Sequence, residues 1–70
     1  MLPPEQEYFL ETAIAELAAA RACLSQNRIA RAQEHIREAK YWSFKVPAEF
    51  TQGGFASNLH ELEKLAFRRY

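Results

Sequence analysis

Residues 10–44, LETAIAELAAARACLSQNRIARAQEHIREAKYWSF, decide the fold. In the first part, Leu10, Ala13, Ile14, Leu17 and Leu24 recur at helical spacing. At the 3.6-residue period of a helix they fall within roughly 100° of arc. Ala15, Ala18, Ala19 and Ala22 take the opposite side, near Tyr8 and Glu11, where a surface helix normally carries charge. Alanine loses little side-chain entropy in a helix and lets a neighbouring backbone come close. The first helix thus has a leucine face and an alanine face, and the second of these is expected to support self-association.

Ser25-Gln26-Asn27 breaks the period. Ser or Asn can cap a following helix, and Asn also tolerates the left-handed backbone that ends a preceding one. So short a link forces an antiparallel hairpin. The second helix presents Ile29, Ala32, Ile36, Ala39 and Ser43 as its core face. One flank reads Arg28, Arg31, His35, Trp42; the other reads Ala30, Glu34, Arg37, Tyr41, Phe44.

Working outward, Pro3-Pro4 followed by Glu5 and Glu7 marks the start of the first helix, since proline suits the first turn and acids there complement the helix dipole. Pro47 pushes Val46 into an extended conformation and ends the second helix. Residues 45–54 form the one substantial loop, closed by Gly53-Gly54. Val46 and Phe50 predict that this loop folds back on the hairpin. A third helix is expected to start between Phe55 and Asn58, with Ser57 or Asn58 as its cap. Phe55, Leu59, Leu62, Leu65 and Ala66 form its apolar face, and Arg68 and Arg69 sit at its end. The prediction is an all-α fold over residues 1–70: an antiparallel helical hairpin with a third helix packed across it, the helices spanning about 5–24, 28–44 and 56–69.

Seventy residues make one domain. A chain of this size buries only about 60% of its unfolded surface, so stability is marginal, ~3–5 kcal/mol from one core. Cys23 is the only cysteine, which excludes an internal disulfide and suits a reducing cytoplasm. The longest apolar stretch, Ile14–Leu24, is interrupted by Glu16 and Arg21 and falls short of the ~20 residues of a membrane span.

The nine acids, all Glu, balance nine bases. The balance hides a polarity. Residues 1–27 hold four Glu against one Arg, net −3; residues 28–45 hold five Lys and Arg against two Glu, net +3. Opposite charge on adjacent helices favours pairing within the molecule, and a neutral total argues against binding driven by phosphate charge.

The pattern of chemistry-bearing residues is sparse. The hairpin Thr12–Trp42 resembles a single tetratricopeptide-type or microtubule-interacting-and-transport-type helix pair, but it lacks the glycine and aromatic positions of the former. Arg28 and His35 have an Arg-x6-His spacing that resembles the ribonuclease motif of HEPN-type helical domains, in which arginine stabilises phosphate charge and histidine is the acid–base group. His35–Glu38 and His60–Glu63 are His-x-x-Glu pairs, the reverse of the Glu-x-x-His order of di-iron bundles. Ordinary helix-surface spacing accounts for all of these. No Asp is present to orient an imidazole, and Gly53-Gly54 lacks the Gly-Lys-Ser/Thr of a phosphate loop. Neither catalysis, a metal nor a cofactor is expected.

Five of the nine aromatics, Tyr41, Trp42, Phe44, Phe50 and Phe55, crowd into one short segment. Large aromatics are enriched at binding surfaces, and one small core cannot easily bury all five. They point to a non-enzymatic protein–protein interaction module, an adaptor, regulator or inhibitor, expected as a homodimer through Ala15, Ala18, Ala19 and Ala22. The alternative is a small nucleic-acid-binding regulator using Arg28, Arg31 and His35, which would equally suit an acidic protein partner.

Overall fold

A computed structural model describes residues 2–68. It contains helix α1 (Pro4–Ser25), helix α2 (Ile29–Ser43), a 3-10 turn (Ala48–Phe50) and helix α3 (Gly54–Ala66). These form a three-helix bundle in which α1 and α2 share the largest interface and α3 packs across both.

The turn between α1 and α2 is made by Asn27, at φ 60°. Arg28 N–H donates to the Cys23 carbonyl at 2.8 Å and Asn27 N–H to the Leu24 carbonyl at 3.0 Å. This pair of bonds is a Schellman motif, which satisfies the carbonyls left over at a helix end. Asn27 therefore terminates α1 and does not cap α2. Ser25 is not a cap either: its hydroxyl donates back to the Ala22 carbonyl at 2.8 Å. Helix α2 begins without a side-chain cap.

Helix α3 starts at Gly54, ahead of the expected Phe55–Asn58 window, and neither Ser57 nor Asn58 caps it. Its first bond runs from Ser57 N–H to the Gly53 carbonyl at 2.9 Å. Gly53, at φ 63° and ψ −123°, makes the sharp reversal. Such a backbone is open to glycine and strained for other residues. Asn58 accepts a hydrogen bond from Arg21 of α1 instead. At its other end α3 stops at Ala66, so Arg68 lies beyond it, while the expected helical position Arg69 lies outside the described residues.

Ion pairs and polar contacts fix the direction of α3. Lys40 meets Glu63 at 3.0 Å, and the Gln33 side chain donates to the Ala66 carbonyl at 2.7 Å, so α3 is antiparallel to α2. Ile14 and Leu17 lie by Gly54 and Phe55, Leu24 by Leu62 and Leu65, so α3 is parallel to α1. The core holds Leu17 and Ala20 of α1, Ala32, Ile36 and Ala39 of α2, and Leu62 and Ala66 of α3. Small residues from α1 and α2 sit opposite one another there, which lets the hairpin close tightly while Leu17, Ile36 and Leu62 fill the volume. Val46 is buried, as its place in a folded-back loop predicts.

The pairing within the molecule that the charge pattern favours runs mostly to α3: among the described residues one side-chain hydrogen bond, Glu16–His35, joins α1 to α2. Arg21 and Lys40 both pair with α3, through Glu61 and Glu63.

Candidate binding surfaces at the end of helix α2

The five aromatics do not form one patch. Helix α2 ends where its neighbours differ on each side, and the rings divide between them. Trp42 turns to α1 and stacks at 5.4 Å on Phe9, with Tyr8 edge-on at 6.3 Å and Tyr41 edge-on at 5.2 Å. The Lys45 ammonium stands 4.9 Å from the Tyr41 centroid and 5.6 Å from that of Phe9. A cation over ring faces is attracted by their quadrupoles and here ties the end of α2 to the start of α1. Trp42 and Phe9 are half-buried, whereas Tyr8 and Tyr41 are exposed.

Phe44 and Phe55 go to the other side. They line a groove of about 420 Å³ between the end of α2, the loop and α3, with Val46, Ala48 and Leu59 as its apolar walls. Phe55 packs against the core. Phe44 stands at the lip, 80% exposed. Phe50 lies on the 3-10 turn and is partly exposed. The polar groups in the groove are mostly spent: Ser43 donates to the Lys40 carbonyl, Thr51 to the Ala48 carbonyl, and Glu63 holds Lys40. His60 remains at the rim, exposed. An apolar groove with one imidazole at its edge can receive a hydrophobic side chain.

The remaining candidates are pulled apart by the fold. His35 Nδ1 lies 2.6 Å from a Glu16 carboxylate oxygen, both residues half-buried, so the imidazole is held by α1. His60 is left without Glu63, which Lys40 takes. Among the described residues no group of three His, Cys, Asp or Glu converges to hold a metal ion. Arg28 and Arg31 are exposed and join no ion pair among the described residues, while the other two members of their flank, His35 and Trp42, are engaged by α1. Ala15, Ala18 and Ala22 are exposed and Ala19 is half-buried. Among the described residues no helix is long and apolar enough to cross a membrane.

Tyr8 and Phe9 were not among the sequence candidates. Their signal was the hairpin register, which brings the start of α1 to the end of α2. No protein-family model matches the sequence, and no curated protein and no solved structure is significantly similar to it.

Proposed function

We propose that the chain is a non-enzymatic protein–protein interaction module, an adaptor, regulator or inhibitor, whose partner inserts an apolar side chain into the groove beside Phe44. One observation carries this: a phenylalanine 80% exposed at the mouth of an apolar groove. Exposing a large ring costs hydration free energy that the fold recovers only when a partner covers it. Phe55 supports that anchor within the groove, Phe50 lies on the adjoining 3-10 turn, and Tyr41 with Trp42 braces the end of α2 from the α1 side. A cytoplasmic setting suits the lone, half-buried Cys23 thiol.

Capture from the native host with Phe44→Ala and Tyr41→Ala, each checked by circular dichroism, tests the proposal. Losing an anchor typically costs at least about 2 kcal/mol, near thirtyfold in affinity. Arg28→Ala with Arg31→Ala is the comparison. If those arginines, and not Phe44, govern capture, and if affinity falls steeply with salt, phosphate recognition by α2 replaces the groove as the function.

A further inference from the structure

We propose that the face of the α1–α2 hairpin turned away from α3 is a self-association surface, on which two copies pack antiparallel about a two-fold axis. Among the described residues nothing covers this face, and it is bipolar along its length. One end carries the rings of Tyr8, Phe9 and Trp42, with Glu5 exposed on the same side of α1. The other end carries Arg31 and Arg28, one and two helical turns before His35 on the same flank of α2. Neither Glu5 nor these arginines joins an ion pair among the described residues.

A two-fold interface presents the same patch twice, so the patch must complement itself. Antiparallel pairing places the guanidinium end of each copy over the ring-and-carboxylate end of the other, where Lys45 already covers Phe9 and Tyr41 and arginine stacks on the exposed Tyr8 ring and meets Glu5. Parallel pairing would set Arg on Arg. The middle of the face meets both conditions for close approach. Ala15 and Ala19 are small, Glu16 and His35 already hold each other, and Glu38, exposed and in no ion pair among the described residues, is opposite in sign to the Arg31 that antiparallel pairing brings from the other copy. The alanines alone would not select an occupant; the opposed ends do. A standard interface takes about 800 Å² per partner, about one sixth of the 4992 Å² surface of this chain. A hairpin in a molecule 41 × 17 × 15 Å across is large enough to supply it.

This surface is independent of the groove, which lies on the α3 side of α2. Trp42, the only tryptophan, sits within it and reports on it directly. On concentration into the high micromolar range, sedimentation should show a dimer, with Trp42 emission shifting to the blue. Arg28→Glu with Arg31→Glu should weaken dimerisation at least about tenfold. Folding should survive, because both sites are exposed and acids are favoured at a helix start. Glu5→Arg should weaken it too. Mixing those two charge variants should restore a dimer, because each then offers the other opposite charge at both ends. Ala15→Cys in a Cys23→Ser background should cross-link near the axis on oxidation. Phe44→Ala should leave the dimer intact, so loss of groove binding and loss of dimerisation are separable. The proposal is overturned by a monomer with unchanged Trp42 emission at every concentration, by a dimer indifferent to Arg28 and Arg31, or by variants whose mixture stays monomeric. Shielding of Trp42 only by nucleic acid or by an unrelated protein likewise overturns it.

Discussion

Gly53 and Gly54 stand side by side and have opposite value to the fold. An added Cβ meets nothing within 4 Å at either position, so steric room does not distinguish them. Backbone does: Gly53 has φ +63°, and Gly54 is an ordinary first residue of α3. Gly53→Ala should therefore cost about 1–3 kcal/mol from strain alone. Gly54→Ala should gain about 0.4–1 kcal/mol by restricting the unfolded chain. For a domain of this size each kcal/mol moves the melting midpoint by roughly 4–8 °C, so two thermal melts decide the matter. Equal effects at both positions would mean the turn is not built on Gly53. The sequence announced a turn here, yet it did not say which glycine bears the strain. It offered Asn27 two roles, capping α2 or ending α1 in the left-handed conformation, and the second holds; Asn58, a capping candidate, is drawn instead into a bond with Arg21. Capping residues are versatile donors and acceptors, and tertiary neighbours settle their use.

At the scale of elements, periodicity served well where burial set the pattern. Ala13, Leu17, Ala32, Ile36, Ala39, Leu62 and Ala66, each read from spacing as inward-facing, are buried. Ile14 was placed on the same face of the first helix and is 51% exposed, because α3 reaches α1 only from about that turn onward. Two substitutions separate the cases. Ile36→Ala removes a fully buried side chain and should cost about 2–5 kcal/mol by lost transfer energy and residual cavity. Against a total of ~3–5 kcal/mol this removes from about 40% to all of the stability. Ile14→Ala should cost under about 1 kcal/mol. Denaturant titration of both compares them directly, and a mild Ile36→Ala effect would show that the core is not centred on α2. The aromatic segment was legible as a concentration of rings but not as two surfaces. Its division depends on which neighbour flanks each side of α2, and that is set by the direction of α3.

For the whole molecule, the three helices overlap over only part of its 41 Å length. The buried cluster of Leu17, Ala20, Ala32, Ile36, Ala39, Leu62 and Ala66 lies in that overlap. Helix α1 runs on beyond the start of α3 and is held there chiefly by α2: Phe9 on Trp42, and Lys45 over Phe9. A segment with fewer buried apolar partners opens locally at less cost than global unfolding. Amide hydrogen exchange should therefore show residues 17–24, 32–39 and 62–66 exchanging only with global unfolding. Amides of residues 8–12 should have protection factors at least about tenfold lower in dilute solution. The dependence on concentration carries more information than the contrast itself. The proposed two-fold interface seats the arginine end of a second copy on this same overhanging segment, and a ligand that binds the closed form stabilises it by mass action. Protection at residues 8–12 should then rise with protein concentration while the groove residues 44–51 stay unchanged, and Arg28→Glu with Arg31→Glu should abolish the rise. Uniform protection along α1 at low concentration would mean the rings alone hold the overhang as firmly as the core does. A rise in residues 44–51 instead would place the contact between copies at the Phe44 groove and not on the hairpin face.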